Sequence, residues 1–160
     1  MRTLKWLSLA AAIACPLLLS MPVGAETFRM NGNFCSARLA DTGKLDRSST
    51  LGVLNSSTST ATVECPFRFP LSSAKVNSVS VTINNRHANV SFTCTLFGLT
   101  AEGGVFWSST VGTSVTGVST LSFFTNPTVT VNQMNMQCVI PGAVSGSQSY
   151  VASYISNTTP

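Results

Sequence analysis

The chain is short of charge. Asp, Glu, Lys and Arg make up 9% of its 160 residues, where an ordinary globular chain has about a quarter. It has one histidine, His87, and no CxxC pair. Each shortage removes a class of function. Nucleic-acid binding needs clustered cations, but beyond residue 25 the basic residues (Arg29, Arg38, Lys44, Arg47, Arg68, Lys75 and Arg86) are scattered singly. Glycosidase chemistry needs two carboxylates across a cleft, and only Glu26, Asp41, Asp46, Glu64 and Glu102 are on offer. Asp41 and Asp46 share one polar stretch with Lys44 and Arg47, which offset them. Glu64 alone falls on an expected strand, facing outward. No calcium loop, glycine-rich phosphate cradle or G-x-S-x-G elbow is present. A metal site would have to be built from scattered thiolates and a single imidazole. Neither a metal nor any other cofactor is expected.

Serine and threonine supply the polarity instead, 40 of the 135 residues beyond Ala25. Thr and Val suit pleated surfaces better than Lys and Glu do, so this composition favours a β-protein. The first residues read as an export signal. Arg2 and Lys5 precede a 14-residue apolar run, Trp6 to Leu19, and Val23-Gly24-Ala25 offers small residues for cleavage. The run is too short for a spanning helix, which argues against a retained membrane span. Cys15 in "AIAC" raises a lipoprotein alternative, but Ala12 stands where a leucine is usual and "PLLLS" prolongs the apolar core. Residues 1–25 are therefore expected to be a signal peptide. Residues 26–160 form one domain, secreted or periplasmic.

Four cysteines follow the signal: Cys35, Cys65, Cys94 and Cys138. An even number in an exported chain predicts two disulfides. Apolar and polar residues alternate after residue 57, and no window carries a helical stripe. Expected strands cover 33–39, "TSTATVEC", Val76 to Leu96, "VFWSSTV", "VSTLSFF", the run around Met134 to Ile140, and "QSYVASYIS". Residues 40–57 read as a long loop, and Pro66 and Pro70 as interruptions of the ladder. From Val76 to Leu96 a hairpin register suggests itself, with Ile83 facing Val90, Val81 facing Phe92 and Val79 facing Cys94. Asn85-Arg86-His87-Ala88 would then be its connection. The apolar parity changes near Asn132-Gln133, which predicts a bulge or short break.

These segments predict an all-β antiparallel sandwich of seven or eight strands; a small barrel is the alternative. Cys94 and Cys138 fall on inward faces of strong strands and pair readily, which leaves Cys35 for Cys65.

The runs "VECPF", "VTINNRH", "VSFTCTLFG", "MQCVIPG" and "SYVASYIS" together resemble a group of small exported bacterial proteins with four cysteines and no established activity. The likeness spans residues 33–156. It implies a fold and a compartment, and supplies no catalytic residue.

Three residues are candidates for ligand contact. Arg86 and His87 stand at the connection after Asn85, and Trp107 adjoins Phe106 on a strand whose alternation sends the two rings to opposite faces. Asn55-Ser56-Ser57, Asn89-Val90-Ser91 and Asn157-Thr158-Thr159 match a glycosylation pattern that arises often by chance in such a chain. The leading expectation is a non-enzymatic binding or structural module of the cell envelope or extracellular space. Its partner would be a glycan, another envelope protein or the chain itself. The first alternative is a subunit of a surface fibre or layer, since strands between Val105 and Ile155 lack the charges that guard sheet edges. The second is a small hydrolase with His87 as its base.

Overall fold

The structure, a computed structural model, describes residues 26–67, 74–125, 130–131 and 133–159. The expected signal peptide, Cys15, Arg68, Pro70 and Asn132 lie outside the described residues. Among those described, the strands are β1 (Glu26–Asn31), β2 (Ser36–Ala37), β3 (Leu45–Ser48), β4 (Gly52–Asn55), β5 (Ala61–Phe67), β6 (Ala74–Asn85), β7 (Phe92–Leu99), β8 (Val105–Thr113), β9 (Gly117–Phe123), β10 (Thr130–Val131), β11 (Gln133–Ile140) and β12 (Tyr150–Thr159). Short 3-10 turns occupy Gly32–Phe34 and Leu39–Asp41.

The strands form two antiparallel sheets. One runs β3-β4-β12-β6-β10, with β1 also beside β12 and β9 also beside β6; the other runs β2-β5-β11-β7-β8. The fold is a sandwich and neither sheet closes into a barrel. The strands outnumber the seven or eight expected because several are short.

Alternation decides what lies inside. Ala61, Val63 and Cys65 of β5, Phe92, Cys94 and Leu96 of β7, and Met134, Met136, Cys138 and Ile140 of β11 are all buried. They face Val76, Val79, Val81 and Ile83 of β6, with Val151 and Tyr154 of β12, across one core. At about 25 cal/mol per Å2, this shared apolar surface is what holds the two sheets together. The Tyr154 hydroxyl crosses from one sheet to the other and donates to the Pro66 carbonyl at 3.0 Å. Pro66 sits inside β5 instead of breaking it. Among the described residues β5 is covered on one side by β2 only at Val63 and Glu64, so at Pro66 that side is already an edge, where a missing N–H is tolerated.

The expected hairpin does not form. β6 pairs with β12 and β9, whereas β7 pairs with β11 and β8. Residues 86–91 thus carry the chain from one sheet to the other as an arch. The flanking strands bury Val79, Val81, Ile83, Phe92 and Cys94 as the hairpin would have, because both geometries bury the same alternate positions. Val90, expected opposite Ile83, is only half-buried. What closes the arch is Asn85, itself fully buried. Its Nδ2 donates to the Val90 carbonyl at 3.0 Å and its Oδ1 accepts from the His87 N–H at 3.0 Å. Asn89 takes a φ of 65°, a conformation asparagine tolerates better than most residues.

The parity change after β10 has a similar origin. β10 belongs to the seven-stranded sheet and β11 to the five-stranded one, so the pattern shifts where the chain changes layers. Residues 40–57 are not one long loop: β3 and β4 form a hairpin, and all four residues of β4 are buried. The strand expected at 33–39 shrinks to Ser36–Ala37. Ahead of it the Asn31 Oδ1 accepts from the Asn33 N–H at 2.9 Å and starts a turn, which leaves β1 as a separate strand.

One side of β12 is divided between two neighbours. β4 pairs with Tyr150 and Val151, β1 takes Ser153 to Thr158, and a bulge between Val151 and Ser153 marks the changeover. Gly32 and Gly52 both close on that point. A Cβ at either would overlap the Val151 carbonyl oxygen, and Gly52 also has a φ of 96°. Gly52→Ala is expected to cost at least about 2 kcal/mol in urea unfolding. Gly146→Ala, at φ 80° with open space around it, should cost only about 1 kcal/mol.

Disulfides join Cys35 to Cys65 and Cys94 to Cys138, the pairing expected. All four cysteines are fully buried. Cys94 and Cys138 lie directly opposite each other on neighbouring strands. Two such bonds indicate an oxidising, extracytoplasmic location. No helix among the described residues is long and apolar enough to cross a membrane. Replacing Cys94 and Cys138 together by alanine should lower unfolding free energy by about 3–4 kcal/mol, since a loop of 44 residues is released. An unchanged urea midpoint would contradict a stabilising role.

Candidate functional site

Arg86 and His87 emerge on the arch between the sheets. The Arg86 N–H donates to Ser149 Oγ at 2.9 Å, and its exposed side chain borders a shallow cavity of about 320 Å3 with Leu51, Leu54, Gln148 and Tyr150. His87 is half-buried. Its Nδ1 lies 2.9 Å from the Ala88 carbonyl, a contact that requires the proton on Nδ1. Among the described residues this main-chain contact is the hydrogen bond of the imidazole.

Trp107 is not the exposed aromatic of its pair. A bulge opposite Gly98 matches Trp107 to Gly98 and Val105 to Leu99, with Phe106 as the extra residue. Strict alternation fails there, and both rings come to lie over Gly98. A Cβ on Gly98 would stand 3.1 Å from Trp107 Cε3 and 3.2 Å from Phe106 Cζ. Trp107 packs against the core and Phe106 stays 44% exposed. A bulge leaves no mark on hydropathy, but a glycine opposite two consecutive aromatics is the signal that points to it.

The outer face of the five-stranded sheet was not singled out by sequence. Register aligns its outward residues in rows: Pro66, Asn135, Phe97 and Ser108; then Ser36, Glu64, Gln137, Thr95 and Thr110; then Thr62, Val139, Thr93 and Gly112. Amides and hydroxyls dominate, with the Phe97 ring among them. At the end nearest Pro66 a cavity of about 290 Å3 is bordered by Ser36, Glu64, Pro66, Leu99, Gln133 and Asn135. The Asn135 Oδ1 is buried there without a hydrogen-bond partner among the described residues, an unsatisfied acceptor between polar and apolar neighbours. Glu64, the face's carboxylate, pairs with Arg38 at 3.4 Å.

Beside Glu64 a second acid has a structural task. Arg38 N–H donates to the Thr62 carbonyl at 3.1 Å and Asp41 Oδ2 accepts from the Thr62 N–H at 2.9 Å. A side chain thus continues the ladder where β2 stops. Lys44 Nζ approaches Asp41 Oδ1 at 2.7 Å. The Lys44 hydrogen bond, then that from Thr62, holds the Asp41 carboxyl below its ordinary 3.8. Among the described residues, no three His, Cys, Asp or Glu side chains group as metal ligands would.

No protein-family model matches the chain, and no curated protein matches it in sequence. In fold it is similar to a family two carbohydrate esterase from Cellvibrio japonicus, with a TM-score of 0.54 at 6% identity over 85% of this chain. The infectious bursal disease virus Gx strain matches with a TM-score of 0.46 at 9% identity, also over 85%. The chain spans 35% and 32% of the lengths of those two chains. At 6% identity the likeness to the esterase is one of fold.

Because the folded pKa of Asp41 is lowered, the stability it contributes is present above the ordinary value of 3.8 and is lost as pH falls below it. Urea midpoints measured from neutral pH downward should fall less steeply in Asp41→Asn than in the wild type. Identical acid limbs would refute the role of this carboxylate.

Proposed function

We propose that the chain is an exported, non-enzymatic binding or structural module of the cell envelope or extracellular space. In this reading residues 1–25 are removed near Ala25, the protein is bacterial and of the four-cysteine group it resembles, and it either stays periplasmic or is released. The contact surface is the outer face of the five-stranded sheet around Glu64, Asn135 and Gln137. The observation that carries the reading is the alignment of amides, hydroxyls and one aromatic ring in adjacent rows on one sheet, next to a cavity bordered by both polar and apolar residues. Such a face can hydrogen-bond the hydroxyls of a glycan or the main chain of another envelope protein, and pack an apolar patch on Phe97 or Pro66.

A hydrolase using His87 has less in its favour. Its ring hydrogen bond is made to the Ala88 carbonyl, and a general base needs its nucleophile and its orienting acid within the same reach. Trp107 serves this reading through packing: Trp107→Ala should destabilise the sheet and impair binding only as a consequence.

The test is a binding screen of the purified chain against neutral and acidic glycans and envelope polymers. For any ligand retained, Asn135→Ala combined with Gln137→Ala should weaken affinity by about tenfold or more, while His87→Ala leaves it unchanged. Loss of binding in His87→Ala or Arg86→Ala with an intact double variant would move the site to the arch. Turnover of a screened ligand that disappears in His87→Ala would replace the module by an enzyme.

A further inference from the structure

Charge is unequally divided between the two flanks of the sandwich. On one flank β1 carries Glu26 and Arg29, β3 carries exposed Asp46 and Arg47, and the pairs Arg38–Glu64 and Asp41–Lys44 sit beside β2. On the opposite flank lie β8, the link Ser114–Thr116 and β9, with no Asp, Glu, Lys or Arg in any of them. Among the described residues β8 is the terminal strand of the five-stranded sheet, with β7 its one neighbour, and β9 pairs only with β6 in the other sheet. Both sheets therefore end on the uncharged flank with a row of main-chain groups that no strand among the described residues covers. Val115 and Val118 stand there 65% and 69% exposed. Sheet edges are normally guarded by charge, and here the guard is present on one flank and missing from the other.

We infer that a second copy of this chain covers the uncharged flank, by antiparallel pairing of β8 with β8 about a two-fold axis near Thr110. Such an axis sets Thr110 against its own counterpart and Ser108 against Gly112. The bulge at Phe106 confines the run to Trp107–Thr113. An uncharged strand offers a differently charged partner nothing to recognise, and it lets two identical copies meet without repulsion. The chemistry of the contact already exists within the chain. Thr110 Oγ1 lies 2.9 Å from Thr95 Oγ1 on the neighbouring strand, and Thr82 Oγ1 lies 3.4 Å from Thr120 Oγ1 in the other sheet. Pairing across the axis extends the same hydroxyl ladder by one strand. Since β9 ends its sheet on the same flank, the two copies continue both layers and form one extended sandwich. The edges at the far side are guarded by charge, so association closes at two copies and does not propagate as a fibre.

Sedimentation velocity of the exported chain tests this, with Thr110→Lys and Thr110→Glu as variants. Thr110 is exposed and, among the described residues, its side-chain hydrogen bond is to Thr95, so either replacement is expected to keep the fold. The wild type is expected to sediment at twice the chain mass. Each variant alone should dissociate about tenfold or more readily, because like charges then face each other across the axis. Mixing the two should restore a one-to-one heterodimer, which also shows that both are folded. A wild-type monomer at about 100 µM would overturn the proposal. So would variants that dimerise as the wild type does, or open polymers of growing size. The outcome is independent of the ligand-binding reading, whose face of the sheet stays exposed in monomer and dimer alike.

Discussion

The pairing of β12 with β6, from Tyr150 against Asn84 to Thr159 against Lys75, is the contact on which the other strands of its sheet depend. Each of these two strands is too long for a single outer neighbour. β9 and β10 divide the free side of β6, and β4 and β1 divide that of β12. The bulge after Val151 turns this division into geometry: it changes the parity of β12, so that Val151 and Tyr154 both face the core. The close approach of Gly32 and Gly52 to the Val151 carbonyl follows from bringing two strand ends to one point of a third.

A chain with so few charges must satisfy its buried polar groups by other means, and asparagine does much of this. Asn55 is fully buried. Its Nδ2 donates to the carbonyls of Ser59 and Ile140 at 2.8 and 3.0 Å, and its Oδ1 accepts from the Ser57 N–H at 3.0 Å. One amide thereby ties the turn after β4 to the end of β11. Its match to the glycosylation pattern is incidental, since the nitrogen is enclosed and occupied. Asn84 reaches Tyr150 Oη at 3.0 Å, and Asn85 closes the arch. These residues, which mark turns in most readings of a sequence, here hold separate segments together across the ends of the sandwich.

Alternation made much of the core legible. The inward assignment of Val79, Val81, Ile83, Phe92, Cys94 and the even residues from Met134 to Ile140 needs nothing beyond a period of two. The neighbours of each strand are another matter. An alternating segment buries the same residues whether it turns back beside its predecessor or crosses to the facing sheet, so the hairpin and the arch at residues 86–91 look alike in sequence. Side-chain hydrogen bonds from Asn85 make the difference, and hydropathy does not register them. β4 was hidden because its four residues are too few to show a period. The outer face of the five-stranded sheet was hidden for a related reason: Glu64, Gln137 and Thr95 are far apart along the chain and meet only through register. Arg86 and His87 could be placed on a connection from sequence, but the type of connection could not.

The antiparallel pairing of β1 with β12 brings Glu26 opposite Thr158, so tethers attached near these residues would leave the sandwich side by side at the same end. Tension between them would load the ladder at its last rung and open it one pair at a time, the mode in which hydrogen bonds resist force least. The unravelling would then meet covalent stops. The segments from Cys35 to Cys65 and from Cys94 to Cys138 are closed loops and add almost nothing to the extended length. In mechanical terms the domain is a soft clasp in series with two inextensible loops.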